Sequence, residues 1–120
     1  MRYYAMKRRS LEPEDSPDNA EDALCRAFLA LGSVPQMRAL LHDLSTPAEL
    51  EALTDRWRVV PYLLDEVPYR EIHDRTAVSI TTIGRVARCL NSGSGGYLAV
   101  VASQRKTSAR KPAARRGAKP

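Results

Sequence analysis

Hydroxyl, methyl and guanidinium groups lie close together in one segment of the chain that has a helical apolar pattern. If Ile80–Leu90 forms a helix, Thr81, Thr82 and Arg85 point outward, and Ile80 lies at the edge of the same face. Groups of these types on the first turns of a helix can contact base edges and phosphates in the major groove of DNA. The residue types and their spacing therefore predict a surface that contacts double-stranded DNA.

A short helix and a turn precede this segment and complete a helix-turn-helix motif over Pro68–Leu90. The first helix is predicted over Pro68–Arg75 and the turn over Thr76–Val78, and Ser79 is the N-cap of the second helix, Ile80–Leu90, which we call the recognition helix. Two short helices joined by a turn of three or four residues are typical of DNA-binding motifs. The apolar residues placed to pack the two helices together are Ile72, Val78, Ile83 and Val86.

Three amphipathic helices are predicted before the motif. The first covers about Asp18–Leu31, and the third begins at the capping sequence Thr46-Pro47-Ala48-Glu49. Because Pro61 lacks an N–H, the third helix either runs over Pro47–Asp65 with a bend, which we favour, or ends near Val60. The apolar residues of the three helices, at helical spacing, are Leu24, Ala27, Phe28 and Leu31; Met37, Leu40, Leu41 and Leu44; and Leu50, Leu53, Trp57, Val60 and Leu64.

Composition divides the chain into a folded middle and two polar ends. A disordered arm is predicted over residues 1–17, a helical domain over 18–103 and a disordered basic tail over 104–120. The net charge is +5, but the tail alone has seven basic residues and no acid, so the rest of the chain is acidic. Such a tail can bind DNA phosphates whatever the base sequence; the alternative is a tail that only improves solubility. Its basic residues are Arg105, Lys106, Arg110, Lys111, Arg115, Arg116 and Lys119.

Residues that could support catalysis or metal binding are sparse. His42 and His73 are each followed by an aspartate, but no nucleophile is placed beside either pair. We therefore predict that the protein is not an enzyme and uses no cofactor. Cys25 and Cys89 lack the spacing of a zinc or redox site, so no metal is expected. Since no apolar run reaches the roughly 18 residues of a membrane span and no export signal is visible, we expect a cytoplasmic protein without membrane contact.

The central and helix-turn-helix segments together resemble the Trp-repressor-like superfamily, and within it the YerC/YecD-type branch. The runs Leu44–Leu53 and Arg56–Val60 are similar to the central helix of the family, and Val78–Asn91 is similar to its recognition helix. The glycine-rich segment Asn91–Tyr97 is characteristic of the branch. The resemblance covers about Ala23–Ser103 and implies an all-helical, intertwined homodimer that binds a palindromic operator as a transcriptional repressor.

The resemblance also implies which residues contact the operator. His73 stands where the family has a basic residue, so its charge depends on pH. Gly84 replaces a hydroxyl residue, which removes a possible phosphate contact, and Ala77 occupies a turn position where glycine is common. Together with Ser79, which directly precedes the recognition helix, the expected DNA-contact residues are Arg70, His73, Ser79, Ile80, Thr81, Thr82 and Gly84.

A small effector is compatible with the sequence, but the residues argue against tryptophan. The two arginines that hold tryptophan in the Trp repressor match Arg56 and Arg85. The glycine on which the indole lies corresponds to Val86, and a leucine before the Thr-Pro pair corresponds to Ser45. Because a branched side chain adds bulk where the ring would lie, we expect that tryptophan is not the corepressor.

Two other classes of function are open to a chain with these features. Helix-turn-helix dimers also occur in protein-interaction adaptors, and this is the main alternative. RNA binding is disfavoured, because no aromatic platform for stacked bases is visible.

Overall fold

The computed structural model of the chain describes Leu11, Glu14 and residues 16–110, and every regular element in these residues is a helix. The predicted all-α fold class is confirmed. The helices fall into two compact units, with α1 and α2 in the first and α3 to α7 in the second. They are α1 (Pro17–Leu29), α2 (Val34–Leu44), α3 (Pro47–Arg58), α4 (Val60–Leu64), α5 (Tyr69–Thr76), α6 (Ile80–Ser92) and α7 (Gly96–Arg110).

Serine caps begin both helices of the first unit. Ser16 accepts a hydrogen bond from the Asn19 N–H at 3.1 Å, and Ser33 accepts one from the Gln36 N–H at 3.3 Å. The Gln36 side chain in turn accepts from the Gly32 N–H at 3.1 Å. The backbone N–H groups of Gly32 and Gln36, at the start of α2, therefore both have side-chain acceptors. Neither α1 nor α2 contains a buried residue. The residues of their predicted apolar stripes are therefore half-buried or exposed, and none is fully buried.

The predicted long central helix is divided in two. α3 ends at Arg58, and after the single turn residue Val59 the chain continues as α4. Pro61 has no N–H to donate to the Trp57 carbonyl and its ring crowds that carbonyl, whereas a proline fits well in the first turn of a new helix. Pro61 occupies such a first-turn position in α4. The expected bend is thus a helix end followed by a restart.

The core of the second unit is small and entirely apolar. The packing predicted for the helix-turn-helix is confirmed, because all four of the residues assigned to it are buried. Two valines at the junction of α3 and α4 complete the cluster, so the division of the central helix lies inside the core. The buried residues are Val59, Val60, Ile72, Val78, Ile83 and Val86.

The last helix is longer than expected. The sequence predicts a short helix over Tyr97–Ser103 and a disordered tail from residue 104, but α7 begins at Gly96 and continues to Arg110. Gln, Arg, Lys and Ala are good helix formers, and no proline or glycine interrupts this stretch. At the other end Pro17, predicted to belong to the arm, is the first residue of α1. The rest of the predicted arm, apart from Leu11, Glu14 and Ser16, lies outside the described residues, as do residues 111–120 of the tail.

Among the described residues, no helix combines the length and the apolar character that crossing a membrane requires.

Candidate nucleic-acid interface

The turn between α5 and α6 is held by a set of short hydrogen bonds. The Ala77 N–H donates to the His73 carbonyl at 2.8 Å, and the Thr76 hydroxyl donates to the Ile72 carbonyl at 2.7 Å. The same hydroxyl accepts from the Val78 N–H at 3.1 Å. Because backbone groups on both sides of the turn are satisfied, the angle between α5 and α6 is fixed within the protein.

Ala77 gives the turn its direction by adopting a left-handed conformation, with φ 64° and ψ 9°. This conformation costs a residue with a Cβ roughly 1–2 kcal/mol. Glycine, common at this turn position, would avoid the cost. The turn therefore has the expected geometry in spite of the alanine.

Ser79 begins the recognition helix α6 as predicted. Its hydroxyl accepts from the Thr82 N–H at 3.1 Å and lies 3.0 Å from the Thr82 hydroxyl. The hydroxyls of Ser79 and Thr82 therefore both take part in the N-terminal cap of the helix. The neighbouring Thr81 is exposed, and its hydroxyl takes part in none of the hydrogen bonds within the described residues. Thr81 is therefore the better placed of the two threonines for a base contact.

The outer face of α6 agrees with the sequence pattern. Thr81 and Arg85 are exposed, and Gly84 between them is half-buried. Ile80 is 46% exposed at the first position of the helix. The opposite face enters the core through Ile83 and Val86. That these outer groups contact DNA stays a prediction.

Arg70 and Arg75, two basic residues of α5, differ in the contacts that their side chains make within the protein. Arg70 is exposed on the first turn, as expected of a DNA-contact residue. Arg75 instead pairs with Glu71 at 2.6 Å and lies over the Tyr62 ring, 5.7 Å from its centroid. Arg75 therefore links α5 to α4, although 54% of its side chain stays exposed.

The three residues of the possible effector pocket lie in different surroundings. Arg85 is exposed and Arg56 is half-buried, whereas Val86 has no exposed surface and belongs to the core. Consequently, no solvent-filled space borders Val86 in the chain as described. The side chain at this position supports the core between α5 and α6.

Two further residues near the interface were not predicted from the sequence. A Cβ atom added to Gly84 would lie 3.7 Å from Nη1 of Arg88 and 4.0 Å from Cε2 of Tyr69. Helical spacing places Arg88 four residues after Gly84, but Tyr69 belongs to α5 and comes near only through the packing of the two helices. The arginine could have been found from periodicity; the tyrosine could not.

An aromatic pair lies elsewhere in the second unit. The rings of Trp57 and Tyr97 stack with their centroids 6.2 Å apart and an angle of 17° between planes. They border a groove that also includes Cys89 and Val100. Both cysteines are free thiols, and the described residues contain no group of three or more side chains that could hold a metal ion.

Comparison with known proteins identifies the family to which the chain is similar. Residues 20–105 match the family model described as Trp repressor protein. The chain is also 34% identical over 76 residues to a protein of Bacillus subtilis (strain 168) described as "Uncharacterized protein YerC", and the match covers 63% of this chain and 73% of the relative. The matched family segment contains the whole helix-turn-helix. The resemblance expected from the residues is confirmed at the level of the superfamily and its YerC-type branch.

Proposed function

Because the chain belongs to the Trp repressor protein family, we propose that it is a transcriptional repressor that binds a specific DNA sequence through its helix-turn-helix. The observation that carries the proposal is the preorganised recognition helix. Ser79 caps it, three hydrogen bonds hold the turn before it, and its outer face exposes Thr81 and Arg85. Direct contacts from such groups distinguish one base pair from another in the major groove.

We further propose that the active form is a homodimer bound to a palindromic operator. α1 and α2 have apolar stripes but bury no residue, and the stripe residues Leu24 and Leu44 are 42% and 51% exposed. Extended apolar surface of this kind usually marks an interface, and a second copy with the same stripes can cover it symmetrically. A two-fold protein would bind two half-sites, which is why the operator is expected to be palindromic.

The basic C-terminal segment supports the same proposal. Arg105 and Lys106 lie in α7, and further basic residues follow Arg110 in the sequence. We propose that this segment adds phosphate contacts that do not depend on base sequence. Because the proposed partner is chromosomal DNA, we place the protein in the bacterial cytoplasm.

Selection of bound fragments from a pool of random duplex DNA tests the proposal most directly. The expected result is a palindromic consensus whose half-sites are about one helical turn apart, since each copy of the recognition helix occupies one major groove. Repeating the selection with metabolite mixtures would show whether an effector is required. Sedimentation at micromolar concentration tests the dimer, and a folded monomer there contradicts it.

Salt dependence separates this function from the adaptor alternative. Duplex binding should weaken steeply as salt rises, because the protein must displace counterions from phosphates. An apolar adaptor surface would be far less sensitive to salt. A protein that enriches no duplex and shows no salt-sensitive binding would favour the adaptor function.

A further inference from the structure

Gly84 has no side chain on the recognition helix, and two polar side chains lie close to the space that one would take. Nη1 of Arg88 and Cε2 of Tyr69 lie 3.7 Å and 4.0 Å from the position that a Cβ would take. Cα–Cβ bonds in a helix tilt toward the N-terminus, so the Arg88 side chain runs back over Gly84. A Cβ alone would make ordinary van der Waals contact with both atoms, so only a side chain that extends beyond Cβ would compete for this space.

The charge of Arg88 is not neutralised within the described part of the chain. Its guanidinium takes part in none of the hydrogen bonds or ion pairs described there, and the residue is exposed. α6 contains no acidic residue. α5 has two acidic residues: Glu71 is already paired with Arg75 at 2.6 Å, and Asp74 forms no ion pair with Arg88 within the described residues. An exposed arginine beside a candidate DNA-contacting face is thus available to an external anion.

The position of Arg88 fits the edge of that face. Helix periodicity places it one turn beyond Gly84 and Arg85 and two turns beyond Thr81. Thr81 lies on the first turn, where base contacts are expected, whereas Arg88 lies near the middle of the helix and reaches back along it. This arrangement suits contact with the sugar-phosphate backbone that borders the groove.

Tyr69 approaches the same place from the start of α5. It is 42% exposed, and the ring carbon nearest Gly84 is adjacent to the carbon that bears the hydroxyl. A phenolic hydroxyl donates one hydrogen bond, and a guanidinium can donate two parallel bonds to phosphate oxygens. Both side chains therefore bring hydrogen-bond donors close to Gly84.

We propose that Arg88 and Tyr69, on either side of Gly84, form a binding site for one backbone phosphate of the DNA, an inference that rests on the proposed DNA-binding function. Gly84 does not simply remove the phosphate contact of a hydroxyl residue. Its missing side chain lets Arg88 reach the phosphate in its place. The site fixes the recognition helix in the groove and carries no base specificity of its own.

The test compares Arg88→Gln, Arg88→Lys and Tyr69→Phe with the wild-type chain on a selected operator and on a random duplex. Arg88→Gln should weaken binding to both duplexes by a similar factor, about tenfold, and reduce the slope of log K against log salt by about 0.9, the value for one phosphate that is no longer neutralised. Arg88→Lys should retain the slope because the charge remains. Tyr69→Phe should weaken both complexes by about two- to threefold without changing the slope, since it removes a neutral donor.

The matched control is Arg75→Gln, which changes net charge equally within the same motif. Arg75 is held by Glu71 and Tyr62, so this variant should retain the wild-type slope. If Arg88→Gln keeps both the affinity and the slope of the wild type, the phosphate site is wrong while the proposed function stands. A loss of affinity confined to the operator would also overturn it, because that result identifies a base contact. A wild-type chain that binds no duplex overturns the proposed function and this site together.

Discussion

The Nδ1 atom of His73 lies 2.8 Å from the carbonyl oxygen of Val78. A carbonyl oxygen only accepts, so Nδ1 carries a proton and donates it across the turn between α5 and α6. The remaining nitrogen, Nε2, is then the ring atom available to DNA, as an acceptor in the neutral ring and as a donor in the protonated ring. One side chain thus connects the end of α5 to the residue before the cap of the recognition helix.

This bond predicts a loss of stability when the imidazole is removed. His73→Ala should lower the free energy of unfolding by about 0.5–1.5 kcal/mol, the usual contribution of one intramolecular hydrogen bond. DNA affinity should fall as well, because the turn that orients α6 loses a restraint. Denaturant titration and operator binding measure the two effects. His42→Ala is the control, since His42 is exposed on α2; an equal loss of stability in both variants would contradict a special role for His73.

The left-handed conformation of Ala77 predicts a stabilising substitution. Ala77→Gly removes a backbone strain of roughly 1–2 kcal/mol. It also raises the conformational entropy of the unfolded chain, which lowers the folding stability by about 0.4–1 kcal/mol. The net expectation is a gain of about 0.5–1 kcal/mol, measured as a higher denaturant midpoint with an unchanged slope. Glu66, with φ 59°, offers a parallel test, and Glu66→Gly should shift the midpoint in the same direction. A lower midpoint for Ala77→Gly would show that the alanine methyl contributes more than the strain costs.

Local signals make the helix-turn-helix predictable from the sequence. Ser79 is a strong N-cap residue, and the spacing of Ile72, Val78, Ile83 and Val86 matches helical faces that must meet across a short turn. The four packing residues and the cap all lie within the fifteen residues 72–86 of the chain. At Pro61 the sequence predicts either a bend, which it favours, or a helix end near Val60, because the choice between them depends on how the surrounding core packs.

Features that join distant residues cannot be predicted in the same way. The stacking of Trp57 on Tyr97 and the approach of Tyr69 to Gly84 depend on how whole helices pack. No local pattern indicates either one. The extension of α7 to Arg110 departs from the prediction for a different reason, since the high charge of the segment favours a prediction of disorder although its residues are good helix formers.

The two threonines of the recognition helix should respond differently to alanine substitution. Thr81→Ala should leave unfolding unchanged and reduce discrimination between the operator and a mutated site by about 1–3 kcal/mol, the value of one good base contact. Thr82→Ala should also lower the free energy of unfolding by about 0.5–1.5 kcal/mol, because its hydroxyl lies 3.0 Å from that of Ser79. Circular dichroism during denaturation and competition binding separate the two effects. Native discrimination in Thr81→Ala would remove this residue from the interface.

We expect removal of the basic end of the chain to make DNA binding less sensitive to salt. Deleting residues 111–120, which removes Lys111, Arg115, Arg116 and Lys119, should weaken operator and random duplex by the same factor. The slope of log K against log salt should fall by about 0.9 for each phosphate that the shortened chain no longer neutralises. A chain of full length with these four residues changed to serine is the control for charge alone. If both variants retain the wild-type slope, the segment contributes solubility and does not bind DNA.

The burial of Val86 gives the prediction for tryptophan. Val86 has no exposed surface and packs in the core with Ile72 and Ile83, so an indole ring cannot lie on the helix there without displacing it. We expect no heat of binding when tryptophan is titrated into the wild-type chain, and no change in operator affinity. Val86→Gly opens the position but should cost about 2–4 kcal/mol, the sum of reduced apolar burial and of glycine inside a helix.

The Val86→Gly variant must therefore be shown to be folded before its ligand binding is measured. If it is not folded, Val86→Ala is the alternative, because it leaves a smaller cavity. Arg56 and Arg85 remain in both, so the cationic groups that match the tryptophan-binding arginines of the family are unchanged. If bulk at position 86 is what excludes the ring, tryptophan should bind a folded small-residue variant more tightly than the wild type. Tight binding of tryptophan by the wild-type chain, coupled to tighter operator binding, would instead mean that Val86 moves out of the core when the ligand enters, and the protein would be a tryptophan-responsive repressor.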